Sequence, residues 1–243
     1  MLAVIRSSLF SIGYFLLTIS YGTLSVALWL LPRRVRHKII SSWTTVVVAW
    51  LKLCCGVRYQ VKGLENAASM QQAFVVLSKH QSAWETLFLQ SLFWPSSTVL
   101  KQELLKIPFF GWGLRALYPI AIDRSNPRGA LKQVKTLGIK HLSEGFNIIL
   151  FPEGTRIAPG TKGVYARSGA DIAAAANASI VPVALNAGHC WPINRFVKHS
   201  GLITVSIGPA IYCNGRTSKQ VMAEVETWIE NEMGALPSPT NRS

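Results

Sequence analysis

Between Arg6 and Arg33 the chain carries no charged side chain. Residues 9–31 (LFSIGYFLLTISYGTLSVALWLL) would reach about 34 Å as a helix at 1.5 Å per residue, enough to cross a bilayer. A secretory signal has a shorter apolar region and then a small-residue cleavage site. Here Trp29, Leu30, Leu31 and Pro32 lead instead into Arg33, Arg34, Arg36 and Lys38. The segment therefore reads as a retained anchor, and the basic cluster that follows it outweighs Arg6, which places everything after Pro32 in the cytoplasm. A second apolar stretch, 39–51, is too short to span and is flanked by Lys38 and Lys52. It reads as a short interfacial helix with Trp43 and Trp50 at headgroup level, and a buried core helix is the alternative. Because Ser, Thr and Gly interrupt the first segment, a spanning anchor and a hairpin dipping into one leaflet both stay open.

Charge reinforces this reading. The chain has 25 Lys and Arg against 11 Asp and Glu, a net charge of +14, so an anionic partner is expected. The first acid is Glu65, and the eight basic residues before it have no counter-charge. Clustering of cations around an apolar N-terminus suits anionic lipid better than nucleic acid, and no nucleic-acid partner is expected. With 49% apolar and only 15% charged residues, disorder and fibrous repeats are excluded. The four cysteines show no paired spacing, so neither a disulfide framework nor a zinc site is expected.

From about residue 58, short β-rich runs alternate with helical stretches, the punctuation of an α/β fold. Strands are predicted at 58–62, 73–78, 97–100, 119–122, 147–151, 180–186 and 202–207. Helices are predicted to begin near Ala83, Phe109, Arg128, Gly169 and Thr217. The last places Val221, Val225, Trp228, Ile229 and Met233 on one face. Residues 1–57 read as a membrane anchor, 58–236 as one domain and 237–243 as a tail.

Three stretches carry residues suited to chemistry. In SKHQSAWETLF, 78–88, His80 sits at a strand end, where open α/β sheets bind ligands. Glu85, five residues on, would lie about 140° away on a continuous helix, so the two meet only if His80 stays in the preceding loop. The pattern Ser82-Ala83-Trp84-Glu85 reads as a capping box that would start the helix at Ser82 and leave His80 outside it. The same box accounts for Glu85 without any chemistry. In NIILFPEGTR, 147–156, a buried strand breaks at Pro152 into a loop where Gly154 permits a tight turn and Arg156 offers a planar fork to phosphate. An ordinary β-turn would look alike. In 101–124, Lys101 and Arg124 each follow a predicted strand and either converge on one anion or are solvated separately. Neither a P-loop nor a G-x-S-x-G elbow is present.

Taken together, the order and spacing of these stretches resemble the glycerolphosphate acyltransferase superfamily, in particular the bacterial 1-acyl-sn-glycerol-3-phosphate acyltransferases. His80 to Glu85 looks like the family's H-x4-D block, with Glu in place of the usual Asp. Residues 101–124 look like its lysine-containing second block, FPEGTR (151–156) matches its third, and Ile180-Val181-Pro182-Val183-Ala184 is similar to its fourth. The segment after FPEGTR, KGVYARSGA, departs from the family's Phe-Lys-Lys-Gly pattern.

The resemblance implies a mixed, largely parallel sheet flanked by helices, preceded by a membrane-embedded helix pair. It implies acyl transfer from acyl-CoA or acyl carrier protein to the sn-2 hydroxyl of lysophosphatidic acid at the cytoplasmic membrane, with no cofactor and no metal. His80 would be the general base and Glu85 would orient it. Lys101, Arg124 and Arg156 would hold the phosphate. Glu153, Gly154 and Thr155 would complete that loop, Glu153 more by organising it than by meeting the anion. An acyltransferase for another lyso-lipid (a lyso-ornithine lipid or a lipid A precursor) and a catalytically silent lipid-binding protein are the alternatives.

Overall fold

The computed structural model describes residues 1–123 and 125–238, the side chain of Pro127 aside. Two long helices open the chain, α1 (Leu2–Ala27) and α2 (Arg33–Cys55), with a 3₁₀ turn at Leu28–Leu30 and Pro32 between them. Polarity along α1 is inverted relative to a water-soluble helix. Its buried residues are Ser7, Phe10, Gly22 and Ser25, while Leu2, Val4, Ile5, Leu9, Ile12, Phe15 and Leu16 are exposed. Three of the Ser and Gly that interrupt its apolarity, Ser7, Gly22 and Ser25, therefore face protein, while Ser20 is exposed. At Gly22 a Cβ would lie 2.4 Å from the carbonyl oxygen of Phe109, so only glycine lets the two backbones approach. Small residues inside and large apolar ones outside is how helices pack in lipid.

Helix α2 outruns the apolar stretch 39–51 at both ends, passing through Lys38 and Lys52, which point outward. Its inner stripe, including Ile40, Trp43, Val47, Leu51 and Cys54, recurs at helical spacing and is buried. Trp43 and Trp50 turn toward protein instead of headgroups. Trp43 is buried, and the Trp50 indole N–H donates to the carbonyl of Phe10 at 3.2 Å. Both helices are long and apolar enough to cross a membrane. The left-handed Gly56 (φ 69°) ends α2 and admits the first strand.

The remaining elements are β1 (Val57–Lys62), α3 (Leu64–Ala68), β2 (Val75–Ser78), α4 (Trp84–Leu92), β3 (Ser96–Lys101), α5 (Phe110–Ala116), β4 (Ile120–Ile122), α6 (Pro127–Ser143), β5 (Asn147–Leu150), α7 (Ser168–Ala176), β6 (Ile180–Leu185), β7 (Gly201–Ile207) and α8 (Ser218–Ala235). All seven predicted strands are present. They form one sheet in the order β1-β7-β6-β2-β5-β3-β4. β6, β2, β5, β3 and β4 are mutually parallel, and β7 runs antiparallel to β6 while pairing in parallel with β1. The sheet is mixed and largely parallel, as the family resemblance implied.

Alternation in the central strands gives the sheet two buried faces. Val76, Ile149 and Val181 belong to a core with α2 and α4, whereas Val75, Leu77, Ile148 and Ile180 pack with α6, α7 and α8. The core of the first face includes Phe10 of α1, so the N-terminal helices and the sheet share one apolar interior. At α8, Val221, Val225 and Ile229 are buried as predicted, and Thr217 caps the helix through a capping box with Gln220. Of the predicted tail, only residues 237 and 238 fall within the described range.

A buried histidine links the sheet to α6. His141 is 2% exposed, and its Nδ1 lies 2.9 Å from the Ser97 hydroxyl. Since that hydroxyl donates to the Tyr118 carbonyl at 2.6 Å, it accepts from His141, whose Nδ1 therefore carries a proton. Burial pushes the imidazole down to about 4 from an ordinary 6.5. Above the ordinary value neither folded nor unfolded chain binds this proton. As pH falls below it the unfolded chain takes the proton first, so stability drops until pH reaches about 4. Thermal unfolding followed against pH should show Tm falling across that window, with a flatter profile for His141→Asn; identical profiles would remove His141 as the cause.

Candidate active site

The carboxyl ends of β2, β5 and β3 lie side by side, and the candidate site is assembled there. The residue after β2, Lys79, still pairs its amide with the Val183 carbonyl of β6 at 3.0 Å. His80 then leaves the strand: its amide donates to Glu153 Oε2 at 3.1 Å and its carbonyl accepts from Ile157 at 2.7 Å. Helix α4 starts only at Trp84, whose amide is capped by the Ser82 hydroxyl at 3.1 Å. The predicted box is thus half realised, starting two residues later than expected, with Ser82 serving Trp84. Glu85 reaches back as expected, its Oε1 accepting from the amides of Gln81 at 2.7 Å and Ser82 at 2.5 Å.

That same oxygen lies 2.9 Å from His80 Nδ1. The carboxylate is fully buried, while the imidazole is 13% exposed at its side chain and stacks on Phe151 with ring centroids 4.1 Å apart. With Nδ1 donating to Glu85, Nε2 is left as the basic nitrogen. Cap and dyad are one arrangement.

The loop after β5 supplies the second component. Gly154 has φ 66°, the left-handed region, and its amide donates to the Phe151 carbonyl at 2.9 Å, closing the turn. Its contribution is therefore the turn itself. Gly154, Thr155 and Arg156 are exposed on a cavity of about 810 Å³ that His80 also lines. Lys101 lines the same cavity from the end of β3 and pairs with Glu103 at 3.1 Å. Arg124 lies outside the described residues. Glu153 does not line the cavity: its carboxylate points into the domain, held by Lys79 at 2.7 Å and by the Gly163 amide at 3.1 Å.

Behind this polar rim the cavity is apolar, with Leu87, Leu104, Phe110, Leu114, Val134 and Leu150 in its walls. Tyr14 of α1 and Trp43 of α2 also line it, so the two apolar N-terminal helices form part of the site. Sequence reasoning missed these two and the buried Lys79 with Glu230, while it anticipated that Glu153 organises its loop. Nothing local marks them, since Lys79 meets a carboxylate 151 positions away.

A family model described as Acyltransferase matches residues 58–186. The chain is 42% identical over 240 residues to a 1-acyl-sn-glycerol-3-phosphate acyltransferase of Pseudomonas aeruginosa, covering 96% of this chain and 91% of that one. It belongs to that acyltransferase family. A chloroplastic 1-acyl-sn-glycerol-3-phosphate acyltransferase of Arabidopsis thaliana is 27% identical over 197 residues, which cover 77% of this chain and 53% of the plant protein. The fold matches the crystal structure of the 1-acyl-sn-glycerophosphate acyltransferase PlsC from Thermotoga maritima with a TM-score of 0.79 at 22% identity, over 96% of this chain and 97% of the other. This acyltransferase is thus an O-acyltransferase of lipid metabolism. The His80–Glu85 pair suits that chemistry, because acyl transfer to a hydroxyl needs a base positioned to take the hydroxyl proton.

Proposed function

We propose that the protein transfers an acyl chain from acyl-CoA or acyl carrier protein to the sn-2 hydroxyl of 1-acyl-sn-glycerol-3-phosphate, giving phosphatidic acid for phospholipid synthesis. The observation that carries this reading is the placement of His80 and Glu85 beside a cationic rim at the end of an apolar cavity. The acyl chains lie in the cavity and the acceptor phosphate meets Arg156 and Lys101, with Arg124 contributing from the same segment of chain. His80 Nε2 takes the proton of the sn-2 hydroxyl as its oxygen forms a bond to the thioester carbonyl. The carbon–sulfur bond then breaks, and the thiolate leaves with the proton held by His80. Glu85 stabilises the transient imidazolium. The reaction takes place at the cytoplasmic membrane with the catalytic domain on the cytoplasmic side, and the exposed apolar face of α1 keeps the enzyme where its one-chain acceptor resides.

The test is formation of phosphatidic acid by membranes containing the protein, with labelled acyl-CoA or acyl carrier protein thioester offered against lysophosphatidic acid. Arg156→Ala should raise the acceptor KM about 10- to 100-fold through loss of a charge-assisted contact, with a much smaller change in kcat. No product with either donor, or an unchanged acceptor KM in the variant, would count against a phosphate-bearing acceptor.

A further inference from the structure

Lys79 sits beside the catalytic histidine in sequence, yet its side chain points away from the cavity and is 1% exposed. Its ammonium donates to Glu153 Oε1 at 2.7 Å, to Glu230 Oε1 at 2.8 Å and to the Thr161 carbonyl at 3.2 Å. All three ammonium protons are thereby used. Glu153 passes the constraint on. Its Oε1 also accepts from the Gly163 amide at 3.1 Å, and its Oε2 accepts from the amide of His80 at 3.1 Å. On the far side, Glu230 Oε1 also accepts from the Tyr165 hydroxyl at 2.7 Å. Burial, followed by that hydrogen bond and the neighbouring carboxylates, pushes the Tyr165 phenol well above its ordinary value, so it remains a donor.

We infer that Lys79, Glu230 and Tyr165 are positioning residues for acyl transfer, forming a buried ionic strut from the C-terminal helix through Glu153 to the backbone of His80. The inference rests on the acyl-transfer reading above and adds to it residues that do not touch substrate. Glu230 lies on α8, beyond the residues 58–186 that the family model matches, so the last helix also takes part in building the site. A buried ammonium between two carboxylates is a costly way to gain stability, since each ion must first be dehydrated. What it supplies is directional restraint at two places at once: the amide of His80, and the loop whose exposed side bears Thr155 and Arg156.

The restraint predicts a split in the kinetics. Lys79→Met leaves Glu153 and Glu230 facing each other without a counter-charge, and both should shift. Displacing a dyad by about 1 Å costs on the order of 100-fold in rate, so kcat should fall by about that factor and the acceptor KM should rise, measured per folded molecule well below Tm. Lys79→Met/Glu230→Gln removes the repulsion and should recover about tenfold. Tyr165→Phe, which strands no charge, should cost about tenfold through the lost hydrogen bond to a carboxylate. Hydrogen exchange provides a readout independent of turnover: the amides of His80 and Gly163 should lose protection in Lys79→Met. Wild-type kcat and KM in this variant, or wild-type protection of those amides, overturns the strut. If Lys79→Met does not fold, the same measurements on Glu230→Gln and Tyr165→Phe decide it, with wild-type values in both overturning it. A wild-type enzyme inactive with both thioesters overturns the acyl-transfer reading instead, and the exchange experiment still tests the strut.

Discussion

His80→Ala is expected to lower kcat/KM for acyl transfer by about 10²- to 10⁴-fold, the range in which a positioned general base contributes to catalysis. The imidazole is the group that lines the cavity with one ring nitrogen engaged by a buried carboxylate and the other available to an alcohol. Loss of a ring that is already partly exposed and stacks on a single neighbour, Phe151, should leave the fold intact. Association with anionic vesicles should therefore be unchanged, because the apolar face of α1 is untouched. Residual transfer above the uncatalysed rate would come from binding of the two substrates in register. Activity within tenfold of wild type would exclude His80 as the base.

Glu85→Gln should reduce kcat on the order of 10³-fold while leaving thermal stability nearly unchanged. The two roles of Glu85 make this variant informative. As a cap, the side chain needs only an oxygen that accepts from the amides of Gln81 and Ser82, and the glutamine carbonyl provides one. As the partner of His80, it must carry negative charge to hold the Nδ1 proton and stabilise the imidazolium that forms. The second carboxylate oxygen, Oε2, is buried without a hydrogen-bond partner among the described residues. A cap alone gives no reason to bear that cost. If Glu85→Gln kept kcat within tenfold of wild type, Glu85 would be reduced to a helix cap. Glu85→Asp is expected to lose activity too, by about tenfold. Here one oxygen satisfies His80, Gln81 and Ser82 together, and a shorter side chain cannot reach all three from the same helix position.

Much of the fold was legible because its signals are local. The strand runs 147–151 and 180–186 are apolar on consecutive positions and bounded by turn residues, the pattern of strands buried on both faces. The inner stripe of α8 recurs at helical spacing. The Ser82–Glu85 pattern correctly left His80 outside the helix, so spacing allowed the two side chains to meet, while the roles given to them came from the family resemblance. Helix α2 was harder. Its apolar run ends at Lys38 and Lys52, but a helix continues through a charge whenever that position faces outward, so the limits of the run are not the limits of the element. The tryptophans were misplaced for a related reason: composition says that an indole suits an interface, but only packing says which interface. Glu153 shows the same division, since FPEGTR identifies the loop while the direction of each side chain depends on where the turn lets it point.

By itself the sequence determined an apolar N-terminus whose cations have no acid among their near neighbours, an α/β order of elements, and a His and Glu spaced to meet across a helix start, because each is set by neighbours within a few residues. Tertiary structure decided which face of α1 is left exposed, which groups share the cavity, and that the lysine next to His80 turns inward to a carboxylate on the last helix. Those outcomes depend on contacts between residues far apart in the chain, and burial, which sets their energetic worth, exists only once the sheet and helices have closed around them.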